Sequence, residues 1–95
     1  MRVIWDEAKN GHNKQKHGVS FETAQLVFTD PYHVSIQDRF ESGEERWQTL
    51  GLVGSVVVLL VAHTMNEDEN DDEVIRIISA RKATQRERIR YEQTQ

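Results

Sequence analysis

The sequence predicts an α+β domain, with helices gathered apart from an antiparallel sheet. Three observations carry that expectation. Two helix-type segments, each opened by a capping residue, occupy the first third of the chain. From Tyr32 the pattern turns to period two, and strand-type segments separated by two glycine turns and an acidic loop continue to Ser79. Thr84-Gln85-Arg86-Glu87 then has the form of a capping box opening a last helix. A chain of 95 residues is expected to be one domain, 1–95, because cores seldom divide at this length.

Taken in order, Arg2 to Trp5 suits a brief first strand. Asp6 is placed to cap a helix running to His17, and Gly18 fits the left-handed position that ends it. Ser20 caps a second helix through Phe21, Ala24, Val27 and Phe28, which Asp30-Pro31 stops. Tyr32, Val34 and Ile36 alternate with polar neighbours as a half-buried strand does. Ser42-Gly43 and Gly54-Ser55 are turn signals bracketing a strand from about Glu45 to Val53. The unbroken apolar run from Val56, expected to end as a strand at Thr64, suits a central strand covered on both faces. Glu67 to Asp72 reads as a loop and Val74 to Ser79 as a further strand, giving a meander of about four strands. On that strand, simple alternation puts Val74, Arg76, Ile78 and Ala80 on one face and Ile75, Ile77, Ser79 and Arg81 on the other.

Net charge is −4, which argues at first against a nucleic-acid partner. The charge is segregated, however. Six acids fall between Glu67 and Glu73, and without them 12 cations stand against 10 anions. From Arg81 onward five cations face two anions, so the basic end can meet phosphate although the whole chain is acidic. With no cysteine, the chain has no disulfide framework, thiolate nucleophile or zinc knuckle. The acidic stretch lacks the spacing and glycine of a calcium loop, and neither metal nor cofactor is expected. No apolar run is long enough to span a membrane, and the first residues lack a signal peptide's apolar segment, so a soluble cytoplasmic protein is expected.

Cleaving RNA without a metal needs a base for the 2′-hydroxyl, cations for the crowded phosphorus and an acid for the leaving oxygen. His63 closes the apolar strand, so it is either a proton-transfer group aimed from the sheet's rim or a histidine satisfying strand-end backbone. Arg76 lies between isoleucines and therefore meets an anion, either a phosphate or a carboxylate such as Glu44, Glu45 or Glu73. Arg81 and Lys82, at the strand's exit, are placed for phosphate contact. Arg88 and Tyr91 share a face of the last helix, where Tyr91 either touches RNA or anchors the helix. Lys16 and His17 belong to a small basic cluster at the end of the first helix, whose plainer reading is a solvated face.

The chain resembles the BrnT family of bacterial toxins. The resemblance rests on Trp5-Asp6, Asn13-Lys14-Gln15-Lys16-His17-Gly18-Val19-Ser20-Phe21, Ala24, Val27-Phe28-Thr29-Asp30, Gly43-Glu44-Glu45-Arg46, Gly51 and Val61-Ala62-His63-Thr64. It is most specific in Ile75 to Thr84 with Glu87-Arg88 and Tyr91. It implies a RelE-like fold, ribonuclease toxicity that inhibits translation, and neutralisation by a BrnA-like antitoxin. DNA would be met only indirectly, through that antitoxin. The implied catalytic set is His63, Arg76, Arg81 and Tyr91, with Lys82, Arg88, Lys16 and His17 as RNA contacts. The competing expectation is a weakly catalytic or non-catalytic module that holds its antitoxin, because six clustered acids would repel RNA.

Overall fold

A computed structural model describes all 95 residues. Strand β1 (Arg2–Ile4) leads to helix α1 (Glu7–His17), where the Asp6 carboxylate accepts from the Lys9 amide at 3.0 Å. Gly18, at φ 74°, ends α1 by returning its amide to the Lys14 carbonyl. Ser20 caps α2 (Phe21–Ala24), which tightens at once into a 3-10 helix over Gln25–Thr29. One continuous helix was expected there. The last turn instead closes on itself, with the Thr29 hydroxyl bonding the Leu26 carbonyl before Asp30-Pro31 forces extension.

Four longer strands follow: β2 (Val34–Glu41), β3 (Glu44–Val53), β4 (Val57–Glu67) and β5 (Glu73–Lys82). Their hairpins turn on Ser42-Gly43 and Gly54-Ser55, all at positive φ, as tight turns matching the sheet's twist require. Val56 belongs to the second turn and is exposed, so the central strand starts one residue later than the apolar run. Strand β4 also continues past Thr64, because Met65, Asn66 and Glu67 pair with Ile75, Val74 and Glu73. The sheet has five strands rather than four, in the order β1-β5-β4-β3-β2. The brief first strand joins the edge of β5 in parallel, setting Arg2 beside Val74 and Ile4 beside Arg76. Helix α3 (Gln85–Gln93) starts at the expected capping box, in which Thr84 and Glu87 satisfy each other's amides.

A bulge in β5 corrects the alternation read from the sequence. Ala62 pairs with Ser79 but His63 pairs with Ile77, so Ile78 is an extra residue. Strict alternation would set Ala80 opposite Ile75 and Ile77. The inserted residue instead lets all three join the helix-covered face, leaving Arg76, Ser79 and Arg81 together on the other. The helix face packs Phe21, Ala24 and Val27 on Leu59, Val61, Ile77 and Ala80. On the opposite face α3 covers only one end, where Tyr91 meets Leu50, Val58 and Leu60.

Helix α1 is poor in apolar residues, and its buried pair is Asn10 and Asn13. Asn13 docks on the free edge of β5 as a strand would: its amide donates to the Ala80 carbonyl at 2.9 Å, and its oxygen accepts the Ala80 amide at 3.1 Å. It also donates to Val19, while Asn10 accepts the Phe21 amide. Polar groups that replace sheet hydrogen bonds explain why so hydrophilic a helix stays attached. Gly51 in β3 permits the 3-10 helix to lie directly on the sheet. A Cβ there would meet Val27 at 2.6 Å from its Cβ and 2.9 Å from its backbone. Gly51→Ala should therefore cost about 2–3 kcal/mol, read as a fall in the urea midpoint with the m-value unchanged.

Candidate active site

The part of the sheet that α3 leaves uncovered carries a band of arginines. The strand register aligns Ile4, Arg76 and Thr64 in one row and sets Arg46 beside Arg39, with Thr64 and Arg46 each one residue beyond the Trp47–His63 pair that ends the β3–β4 ladder. Arg39 comes beside Arg46 because a bulge at Asp38 shifts the β2–β3 register. The next row toward α3 holds Ser79, Ala62, Gln48 and Ile36, and beyond it Arg81 stands beside Leu60. Four guanidinium groups thus share one sheet surface, each presenting a planar fork that keeps its proton.

Three of the four are paired. Arg76 donates to Glu44 at 2.7 Å, the carboxylate reading offered for it from the sequence. Arg39 pairs with Glu41 at 2.9 Å. Arg81 grips Glu87 with both terminal nitrogens, at 2.8 and 3.0 Å, and Glu87 also accepts the Thr84 amide that opens α3. The Arg81 fork holds the Glu87 carboxyl down to about 2 and raises the arginine's own affinity for its proton. Arg46 has no carboxylate partner, its buried Nε makes no hydrogen bond, and neither does the buried hydroxyl of Thr64 on β4. The acidic hairpin lies at the far end of this surface, with Asp68 four residues beyond Thr64 along the strand, roughly 13 Å away. Screening at physiological salt weakens repulsion over that span.

His63 is not at a rim. It lies inside β4, fully buried on the helix-covered face, with its ring edge-on to Phe28. The expected rim position fails because β4 runs on to Glu67. Its Nδ1 faces the Thr64 carbonyl at 3.3 Å and so carries the proton, leaving Nε2 to accept the Thr49 hydroxyl at 2.6 Å. Ser35 extends the chain by donating to Thr49 at 2.8 Å. Burial pushes the imidazole pKa down to about 4, so the ring is neutral at physiological pH.

Tyr91 is the helix anchor, the second of the two readings left open for it. Its hydroxyl donates to the buried Asp30 carboxylate, which also accepts the amides of Leu52 at 2.8 Å and Tyr32 at 3.0 Å. Burial alone would raise the Asp30 pKa, but these three donors hold it below its ordinary value. Burial and the Asp30 charge together push the phenol up to about 12. Lys82 and Arg88 flank a groove of about 530 Å³ beside Tyr91 and Leu52, at the α3 end of the molecule. Lys16 and His17 lie on α1, lining a hollow with Lys9 and His12 against Ile78 and Ser79. The expected set is thus divided: Arg76 and Arg81 share the open face, while His63 and Tyr91 are in the interior and Lys16 and His17 are on α1.

A model of the BrnT ribonuclease toxins of type II toxin–antitoxin systems matches residues 5–87. The chain belongs to that family. Membership brings with it an antitoxin partner, as type II systems are defined by the pair. The crystal structure of the Brucella abortus ribonuclease toxin BrnT shares the fold, with a TM-score of 0.62 and 23% identity. The match covers 90% of this chain and 99% of that one. No curated protein matches the sequence. Of the four arginines on this face, Arg39 and Arg46 were not among the site residues expected from the sequence, Arg46 appearing there only within the Gly43-Glu44-Glu45-Arg46 motif. The signal for them was the Ser42-Gly43 turn, which fixes the register of β3 and places Arg46 among the other arginines.

Two outcomes follow from the interior groups. The pKa of His63 is lower in the folded chain than in the unfolded one, so acid favours unfolding. The stabilising contribution is complete above about pH 6.5 and lost progressively toward pH 4, by about 3 kcal/mol, measurable as urea midpoints at pH 7.5, 5.5 and 4.5. Tyr91→Phe leaves buried Asp30 without one donor and should cost about 1–2 kcal/mol in the same assay.

Proposed function

We propose that this protein is an endoribonuclease that cuts RNA without a metal ion, and that the open arginine face is where RNA binds. Its action would stop translation in the cytoplasm, and a BrnA-like antitoxin would neutralise it. The complex would repress its own operon through DNA contacts made by the antitoxin. The observation that carries this reading is the convergence of Arg39, Arg46, Arg76 and Arg81 on one uncovered sheet surface, produced by the two bulges. The guanidinium groups supply the positive charge that a pentacoordinate phosphorus demands.

In this scheme a phosphodiester takes the forks of Arg76 and Arg81 in place of Glu44 and Glu87. Glu44, released beside Arg76, accepts the proton of the 2′-hydroxyl as that oxygen attacks phosphorus. The bond from phosphorus to the 5′ oxygen breaks, water protonates the leaving oxygen, and a 2′,3′-cyclic phosphate remains. Proton transfer is assigned to Glu44 rather than His63, whose two ring nitrogens are engaged beneath the opposite face. His63 acts as a positioning residue, bonding the backbone carbonyl of Thr64. Tyr91 positions α3, and Lys82 and Arg88 extend the cationic path toward that helix. Lys16 and His17 are left to solvent or to the partner.

A second reading has its own support. Arg39, Arg76 and Arg81 already hold carboxylates, as they would in a module whose acidic partner does no more than exchange with them.

Incubating the protein with a structured RNA, with and without EDTA, decides between the two. Cleavage that survives EDTA is expected, and Glu44→Gln and Arg81→Ala should each slow it about 100-fold or more while the protein stays folded. Intact RNA at high protein concentration would leave the partner-binding reading.

A further inference from the structure

The structure assigns the groove beside α3 to an acidic segment of the antitoxin, one that brings an apolar side chain flanked by carboxylates. This assignment rests on the antitoxin partnership and not on the ribonuclease scheme. At about 530 Å³ the groove is of ligand-binding size. Its floor is apolar: Leu52 and Val58 pair across β3 and β4, and Ala83 adjoins them. Val56 forms its lip at the end of the β3–β4 turn, 87% exposed, and no other large apolar side chain of the chain is so exposed. Tyr32, 59% exposed, lines the same groove. Apolar surface held in water around a groove marks a contact surface, because a partner that covers it removes it from solvent.

Charge selects the occupant. Lys82 and Arg88 flank the groove, and neither enters any of the chain's three ion pairs. Of the two acids in the lining, Asp30 is buried and already accepts three donors, which leaves Glu92 against the two cations. Carboxylates beside an apolar anchor complement that rim. RNA fits the groove less well. Leu52 and Val58 lie one row beyond Leu50, Leu60 and Arg81, on the side away from Arg76, and Tyr91 of α3 packs over Leu50 and Leu60. The buried polar groups of the wall, Asp30 and Tyr91, bond each other and are not free to read a base edge. A second copy of the chain also fits less well, since its acidic stretch from Glu67 to Glu73 contains no apolar residue to serve as the anchor.

The test titrates the whole protein into labelled antitoxin and, in parallel, into a labelled single-stranded oligoribonucleotide carrying 2′-O-methyl groups, which cannot be cut, with anisotropy as the readout. Val56→Asp should weaken antitoxin binding about tenfold or more and leave RNA binding unchanged. Lys82→Gln combined with Arg88→Gln should slow antitoxin association about tenfold and flatten its salt dependence, whereas Lys9→Gln on α1 should change neither. Val56, Lys82 and Arg88 are all exposed, so the variants should melt with the wild type, and the charge variant decides by itself should Val56→Asp melt lower. Antitoxin binding that withstands both variants would overturn the groove and leave the partnership standing. A Val56→Asp chain that keeps its antitoxin and loses RNA affinity would overturn it in favour of a base-binding pocket. Free wild-type protein that sediments as a dimer, and as a monomer with Val56→Asp, would overturn it in favour of a second copy. An antitoxin that fails to bind the wild type would overturn the groove and the partnership together.

Discussion

The pairing of β4 with β5 is the constraint on which the rest of the molecule depends. Strand β4 is covered on both faces over its first half, with Leu59 and Val61 against the helices and Val58 and Leu60 against α3. Burial of those four side chains contributes on the order of 1.5–3 kcal/mol each. The extra residue at Ile78 then reconciles two demands on β5. It keeps Ile75, Ile77 and Ala80 in the core while Arg76 and Arg81 emerge together on the opposite surface. Without the bulge, one of those sets would be turned the wrong way.

Polar groups tie the other elements to this pair. Asn13 completes the edge of β5 with a side-chain amide, which frees α1 to be hydrophilic and to carry Lys14, Lys16 and His17 outward. Asp30 gathers the Tyr91 hydroxyl and the amides of Leu52 and Tyr32 into one buried node, joining the end of the 3-10 helix to β3 and α3. Glu87 closes the capping box of α3 and at the same time receives Arg81. The arginine face is therefore assembled by groups that also hold the fold, and three of its four cations, Arg39, Arg76 and Arg81, are kept paired with carboxylates. In the proposed function a phosphodiester would compete with Glu44 and Glu87 for them, which favours a ligand that engages several forks at once.

Much of this was legible in the chain. Caps at Asp6, Ser20 and Thr84 and glycines at Gly18, Gly43 and Gly54 are local chemistry, and each marks its element where the structure has it. Tertiary choices were not. Nothing near Arg2 says that it will lie beside Val74, and a bulge leaves no mark on a stretch as evenly apolar as Ile75-Arg76-Ile77-Ile78. His63 was placed at a rim because the apolar run ends there, yet β4 continues on polar residues that need only a partner strand. Tyr91 had two readings because helical spacing shows which residues share a face but not what that face meets. Arg46 stands in the sequence only as part of the Gly43-Glu44-Glu45-Arg46 motif, because what sets it apart is its surroundings on neighbouring strands.

The central claim is that RNA lies on the arginine face and not along the basic end of α1. Nitrogen-15 spectra of the arginine Nε–H groups, recorded as an uncleavable 2′-O-methyl oligoribonucleotide is added, test it most directly. Arg46, Arg76 and Arg81 are expected to shift together and saturate at one ligand concentration. Unmoved signals from those three, with changes confined to the amides of Lys14, Lys16 and His17, would contradict it.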